Sequence, residues 1–327
     1  MISPDPHSPA AHRSTGHRAV AITALLAAAL ATIVVAAPAW GQAPRDATPE
    51  ATGLSVAAAI VLGLVEGLTE YLPVSSTGHL LVTNEVLGLG GTAAEDQALD
   101  AYAICIQAGA ILAVLVLYRE RIRQMFDGLL GRSPDGRAVM TAVIVAFIPT
   151  ALIGLALKDI VRDRLFGAGP VAAAWLVGGI AILALVRSGV LQRAGIELER
   201  ISFTQAGLIG LGQTVALWPG VSRSLVTIVA AVLVGLSLRA AVEFSFLLGL
   251  ITLGAATVLT ALSDGELLFD TFGVVTPLIG LVVAFLAAVA SVRWMVAWLQ
   301  QRGFGIFGWY RIAIGIAAIA AIGLGAL

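Results

Sequence analysis

Past residue 50 the chain alternates between long apolar runs and short charged loops. The runs fall at about 101 to 118, 139 to 157, 170 to 186, 241 to 262, 273 to 292 and 306 to 326. A helix needs about 20 mostly apolar residues to cross a bilayer core, so the pattern predicts six full transmembrane helices. Two further apolar regions are interrupted. Residues 54 to 90 are split by Tyr71-Leu72-Pro73-Val74-Ser75-Ser76-Thr77-Gly78, and residues 204 to 236 by Trp218-Pro219-Gly220-Val221-Ser222-Arg223-Ser224. The arms beside the breaks, 79 to 90 and 204 to 217, are too short to cross a core of roughly 30 Å at about 1.5 Å per residue. They read as re-entrant or broken helices. Proline removes a backbone donor and glycine admits unusual dihedrals, so each break frees backbone amides at membrane depth. That is tolerable only where protein or a water-filled cavity receives them.

The two interrupted regions resemble each other. At an offset of 147 residues Gly63 matches Gly210, Leu64 matches Leu211, Val74 matches Val221 and Ser75 matches Ser222. Thr77 aligns with Ser224, and Glu66 falls on Gln213. One re-entrant pair plus three spans is an odd number of crossings, so a second copy of that unit enters from the opposite side. The expected fold is an all-α polytopic membrane protein with six full transmembrane helices plus two re-entrant helix pairs in an inverted-topology repeat. Repeat one covers about 51–190 and repeat two about 200–327.

Composition agrees. Of 327 residues 59% are hydrophobic and 12% charged, with a mean hydropathy of +0.96, which excludes a water-soluble domain and the disordered, collagenous and disulfide-rich classes. The formal net charge is −1, the basic residues are nearly all arginine, and Lys158 is the only lysine. Once the arginines are assigned to loops no basic face is left for nucleic acid. Cys105 is the single cysteine and lies in an apolar run, so no intrachain disulfide forms.

Loop charge sets the orientation. The stretch 119 to 138 carries Arg119, Arg121, Arg123, Arg132 and Arg137 and is placed in the cytoplasm by the positive-inside rule. Counting spans puts Arg187, Arg193, Arg200, Arg239, Arg293 and Arg302 on the same side. Glu95, Asp96, Asp100, Asp264, Glu266 and Asp270 fall outside. The loop 158 to 169, with Lys158, Arg162 and Arg164 beside Asp159 and Asp163, is the one discordant segment.

The first 50 residues form an N-terminal extension of another kind. Arg13 and Arg18 precede an alanine-rich stretch from Ala19 to Ala37, then Ala37-Pro38-Ala39, a small-residue cleavage pattern. This reads as a signal peptide with a short linker; an uncleaved extra helix or a start codon upstream of the true one are the alternatives. His7, His12 and His17 belong to that segment, which leaves His79 as the only histidine of the membrane body.

A charged side chain at the centre of a span costs about 2.5 to 3.5 kcal/mol on insertion scales, so such residues call for a functional reason. Glu66, Glu70, His79 and Arg223 lie in or beside the breaks, and Glu243 starts the following span. Glu66 and Glu70 are four apart on one helix face, where two like charges repel unless a cation or protons intervene. A hard divalent metal shared with phosphate oxygens fits; two carboxylates on a wet helix rim are the plainer alternative. The second break offers Ser222, Arg223, Ser224 and Thr227 at the start of a half-helix, a set suited to phosphate. The first offers Ser75, Ser76 and Thr77 with His79 close by, an arrangement for a nucleophile with a base or acid. Together these describe a site for a metal-bound lipid diphosphate with its headgroup at the midplane.

Glu66-Gly-Leu-Thr-Glu70-Tyr-Leu-Pro-Val-Ser-Ser-Thr-Gly-His79 and Pro219-Gly-Val-Ser-Arg-Ser-Leu-Val-Thr227 resemble the two signature motifs of the bacitracin-resistance family of undecaprenyl-diphosphate phosphatases. Ile106-Gln107-Ala-Gly-Ala, Ala146-Phe-Ile-Pro-Thr, Glu243-Phe-Ser-Phe-Leu-Leu and Trp309-Tyr-Arg311-Ile are similar to the family as well. The likeness spans roughly 54 to 326. It implies hydrolysis of undecaprenyl diphosphate on the periplasmic face of the bacterial inner membrane, recycling the carrier lipid for peptidoglycan synthesis and conferring bacitracin resistance. It also implies that Glu66 and Glu70 hold Mg2+ or Ca2+ and that Ser75, Thr77, Ser222, Arg223, Ser224 and Thr227 grip the diphosphate. Ser76 would be the candidate nucleophile, with a metal-activated water as the alternative, and His79 its base or acid. Glu70 and Arg223 complete the catalytic set. Leu225 departs from the family, which usually has glycine after Ser-Arg-Ser. A lipid-phosphate transporter or flippase on the same scaffold is the rival reading, because opposed broken helices around a midplane anion site also serve carriers. A purely structural scaffold would leave the buried charges without purpose. The sequence leaves oligomeric state open, a homodimer included.

Overall fold

The computed structural model describes residues 54–327, and these are all-helical apart from one isolated parallel bridge between Ile196 and Leu236. The expected signal segment within residues 1–50 lies outside the described residues. In chain order the helices are α1 (Val56–Thr69), α2 (Ser76–Val86), α3 (Ala93–Leu117), α4 (Arg119–Leu129), α5 (Pro134–Leu165) and α6 (Ala168–Arg187). They continue with α7 (Phe203–Gln213), α8 (Arg223–Leu233), α9 (Leu238–Phe272), α10 (Val275–Arg302) and α11 (Gly305–Gly323). Six of them, α3, α5, α6, α9, α10 and α11, are long and apolar enough to cross a membrane.

The helices overrun the apolar runs that announce them. α3 starts at Ala93, capped by Thr92, whose hydroxyl accepts from the Glu95 amide at 3.2 Å. α9 continues through Asp264, Glu266 and Asp270 to Phe272, and α10 passes Arg293 on its way to Arg302. The arginine-rich stretch expected as a loop holds α4. The physical reason is common to all: helical hydrogen bonds are made by the backbone, so a helix persists beyond the hydrocarbon core, where its charged side chains meet water.

Charges at the two ends pair locally. At the arginine-bearing end Arg121 reaches Glu199 at 2.7 Å and Glu243 at 2.6 Å. At the other end Gln97 donates to Asp264 at 2.8 Å, and Arg162, from the discordant segment, lies 3.7 Å from Asp100. That exposed pair contributes under about 1 kcal/mol, yet it places a misfit cation against the acids of its own face.

α1 packs along α10, α7 along α5, α3 against both α9 and α10, and α6 against α11. Tyr71, Tyr102, Trp175, Phe244, Phe246 and Arg311 are fully enclosed, while Leu152, Leu155, Val177, Leu262, Leu286 and Ile316 stand exposed. So many outward leucines, valines and isoleucines suit hydrocarbon and not water.

Candidate active site

Two short turns position the site, and their backbones share one peculiarity. Ser75 (φ 73°) and Ser222 (φ 79°) are the non-glycine residues with positive φ among the described residues. For an L-residue that conformation costs of order 1 to 3 kcal/mol and persists only where surrounding contacts impose it. Each serine is the N-cap of an 11-residue helix. Ser75 Oγ accepts from the Gly78 amide at 3.4 Å at the head of α2, and Ser222 Oγ accepts from the Leu225 amide at 3.3 Å at the head of α8. Leu225 therefore spends its amide on the cap.

Immediately after these caps stand Ser76 and Arg223, and both converge on one carboxylate. Ser76 donates through its hydroxyl to Glu70 Oε2, while Arg223 Nη2 donates to Glu70 Oε1 at 2.8 Å. Arg223 Nη1 donates to the Ser245 carbonyl at 2.9 Å, and the guanidinium lies over the Tyr71 ring, 5.5 Å from its centre. Glu70 and Ser76 are buried, and the Arg223 side chain is 10% exposed. Arg223 Nε has no hydrogen-bond partner, nor has Glu66 Oε1 one turn before Glu70. Gly249 makes the arginine's placement feasible: a Cβ there would lie 2.5 Å from the guanidinium carbon.

The remaining hydroxyls divide into two groups. Ser75, Ser76, Thr77 and Ser222 line a cavity of about 180 Å3 together with Glu70 and Arg223. Ser224 is turned away, donating to the Leu72 carbonyl at 2.9 Å, and Thr227 shares a 2.5 Å hydrogen bond with Ser245 Oγ. Those two join the second turn to the first and to α9. Glu66 is buried but outside the cavity wall.

His79 stands behind the first turn. Its Nδ1 is 2.6 Å from the Ser75 carbonyl and its Nε2 is 2.8 Å from Tyr310 Oη, so both ring nitrogens are engaged. Its ring centre lies 4.9 Å from that of Trp175, whose indole N–H donates to the Val74 carbonyl at 3.0 Å. The partner of the Ser76 hydroxyl is thus Glu70, and His79 holds the carbonyl of the strained residue before it.

Several polar residues carry more of the site than the sequence motifs assign to them. Arg311 of α11 donates to the carbonyls of Pro73 at 3.2 Å, Gly220 at 2.8 Å and Ala174 at 2.9 Å, tying both turns to α6 with one enclosed guanidinium. Gln213 donates to Thr150 Oγ1 at 2.7 Å, and Thr150 in turn donates to the Gly210 carbonyl at 3.0 Å. Gln107 and Gln213 border the cavity, each with a buried carbonyl oxygen lacking a partner. The signal for Arg311, Gln107 and Gln213 was present: a polar or charged residue inside an apolar run, the criterion that singles out Glu66 and Arg223.

Apolar helices of spanning length around a buried carboxylate, guanidinium and hydroxyl cluster define a multi-pass membrane protein with a polar centre. Its relatives are specific. The chain belongs to the family of the bacitracin resistance protein BacA, which matches residues 59–317. It is 44% identical over 260 residues to the undecaprenyl-diphosphatase of Sorangium cellulosum, covering 79% of this chain and 83% of that protein. With the undecaprenyl-diphosphatase of Sphingopyxis alaskensis it shares 43% over 266 residues, 81% of this chain and 97% of the relative. With undecaprenyl-diphosphatase 2 of Rhodospirillum rubrum it shares 40% over 263 residues, 80% and 93% of the two chains.

Proposed function

We propose that the chain removes the terminal phosphate of undecaprenyl diphosphate, releasing inorganic phosphate and undecaprenyl phosphate, at a site open to the periplasmic side of the bacterial inner membrane. One observation carries the reading: a serine hydroxyl and an arginine fork, from turns far apart in sequence, are held on the two oxygens of one buried carboxylate.

In this mechanism the Ser76 Oγ attacks the terminal phosphorus as its proton passes to Glu70 Oε2. The bond from that phosphorus to the bridging oxygen breaks, and undecaprenyl phosphate departs with the bond's electron pair. Arg223 stabilises charge developing on the phosphoryl oxygens. Water then attacks the phosphoserine, Ser76 recovers the proton from Glu70, and phosphate leaves while the second water proton goes to solvent. His79 and Tyr310 act as positioning residues that fix Ser75 and, through it, Ser76.

A divalent cation suits the donor set in part. Among the described residues no group of three His, Cys, Asp or Glu gathers, so a metal would rest on Glu66, Glu70 and the substrate's own oxygens. The partnerless Glu66 Oε1 is the oxygen on offer. When bound, Mg2+ or Ca2+ neutralises part of the diphosphate charge.

The same reading includes two re-entrant helix pairs in an inverted repeat. In its support, α2 and α8 are each 11 residues, about 16 Å of helix, and Ser75 and Ser222 share one backbone conformation at equivalent positions. The packing of α1 on α10 is mirrored by that of α7 on α5. Arginines at one end of the bundle and acids at the other support the orientation.

The test is phosphate release from undecaprenyl diphosphate by the purified chain in detergent, with and without chelator. Release that Ser76→Ala removes is expected; no release from the intact chain would overturn the reading.

A further inference from the structure

A second polar cavity lies apart from the hydrolytic one. At the arginine-bearing end a chamber of about 820 Å3 opens between the end of α3, the start of α4, the start of α9 and the last turns of α10. Four arginines and three glutamates line it. Arg121 is committed to Glu199 and Glu243 at 2.7 and 2.6 Å, and Arg119 touches only its neighbour Glu120 at 4.0 Å. Arg239 and Arg293 face the chamber with no carboxylate in ion-pair range among the described residues.

Through Tyr118, Arg239 and Glu243, which border both, the chamber adjoins a second pocket of about 290 Å3 between α9 and α10. Its other walls include Leu238, Val242, Val296 and Leu299. Gln107 and Thr252, which both line the hydrolytic cavity, lie ten and fourteen residues inside α3 and α9 from this end, about 15 and 21 Å along the axes. Between the two cavities Tyr118 packs edge-on against Phe246 at 5.7 Å, and Phe246 against Tyr71 at 5.1 Å.

We propose that this chamber is a second lipid-phosphate site, on the opposite membrane face from the hydrolytic one, taking a phosphate monoester carried on a hydrocarbon chain. Arg239 and Arg293 supply fork donors for the phosphate oxygens, and Val242, Val296 and Leu299 receive the first methylenes of the chain. The volume suits such a ligand, since small-molecule sites run from about 300 to 1,000 Å3. A charged chamber alone would take any anion; the apolar annex against its wall selects one with an oily tail. The inference concerns binding, and the chamber shares no lining residue with the hydrolytic cavity; only its membrane face rests on the proposed orientation.

The experiment is calorimetric titration of dodecyl phosphate into the full chain in non-ionic detergent, in an Arg223→Ala background that removes the guanidinium of the other site. Inorganic phosphate and dodecanol serve as the separate arms. Dodecyl phosphate is expected to bind more than about tenfold tighter than either, and Arg239→Gln with Arg293→Gln to weaken it more than about tenfold. Unchanged affinity in the double variant would overturn the site, and inorganic phosphate binding as well as dodecyl phosphate would overturn its lipid character. Both arginines are exposed, so with Arg223 intact the double variant keeps its phosphate release. Absence of hydrolysis in the unmodified chain would sink the phosphatase reading and leave the binding result standing.

Discussion

Arg223 Nη2 lies 2.8 Å from Glu70 Oε1, joining residues 153 positions apart. The two side chains are 10% and 6% exposed, and together they set a cationic fork beside the Ser76 hydroxyl. Arg223→Ala is therefore expected to lower kcat by about 10^2 to 10^3, the typical loss when a preorganised donor to a developing charge is removed. Arg223→Lys keeps the charge without the fork and falls between. Phosphate release from an isoprenoid diphosphate measures both, with size-exclusion elution checking the fold. Turnover within about threefold of the parent would place the phosphate cradle elsewhere.

A quieter substitution tests the same contact. A Cβ on Gly249 would meet the Arg223 guanidinium, whereas one on Gly254, five residues along α9, would meet nothing within 4 Å. Alanine favours an exposed helix by about 1 kcal/mol over glycine. Gly254→Ala should thus be neutral or stabilising, and Gly249→Ala should cost activity by displacing Arg223. Equal activity of the two variants would show that the arginine's placement is immaterial.

His79 offers a third check. Its ring bridges the Ser75 carbonyl and Tyr310 Oη, so His79→Ala is expected to lower kcat well beyond any change in KM, by loosening the turn that presents Ser76. His79→Asn, which keeps a donor near that carbonyl, should recover part of the loss and leave the pH profile unchanged. A profile that loses an ionisation in His79→Asn would make His79 the proton-transfer group in place of Glu70.

How much of this was legible in advance differs by level. The apolar runs announced all six spanning helices, because crossing lipid demands uninterrupted apolar length, but misplaced their ends, because helices need no apolar side chains beyond the core. The meeting of Ser76 and Arg223 at Glu70 joins the two breaks that buried charge and the internal likeness single out in the sequence. What could not be read was direction. Ser224 and Thr227 carry the same hydroxyl as Ser75 and Ser76, yet Ser224 donates to the Leu72 carbonyl and Thr227 shares a hydrogen bond with Ser245 Oγ, so both hold turns together. The division of labour between Glu70 and His79 likewise depends on side-chain directions set by Trp175 and Tyr310, far away in sequence. Arg311 sat in plain view as a charge within the last span, but its three carbonyl partners exist only once both turns meet.

Glu66 and Glu70 separate a metal role from a hydrogen-bonding one. Glu66 Oε1 has no protein partner, whereas both Glu70 oxygens are engaged. Glu66→Gln should raise the Mg2+ or Ca2+ concentration needed for half-maximal phosphate release while leaving the Ser76, Glu70 and Arg223 contacts intact. Glu70→Gln should lower the rate at every metal concentration as well. If the metal titration of Glu66→Gln overlays that of the parent, the cation does not bind these carboxylates.

Arg311 should govern stability where Arg223 governs rate. Its guanidinium satisfies the carbonyls of Pro73, Ala174 and Gly220, and Gly178 leaves it room, since a Cβ there would come within 2.8 Å of the guanidinium carbon. A buried acceptor left without a donor costs about 1 to 3 kcal/mol, and Arg311→Met would abandon three at once while filling much of the same volume. The net loss is smaller than their sum, because removing a buried cation returns its desolvation penalty. The expected result is a clear fall in the thermal unfolding midpoint in detergent, accompanied by loss of phosphate release even well below that midpoint, since both turns lose their shared anchor. Gly178→Ala should shift the midpoint in the same direction by a smaller amount. An Arg311→Met chain that melts with the parent would mean that the two turns hold their positions without it, and that the convergence of Ser76 and Arg223 on Glu70 is maintained by the helices alone.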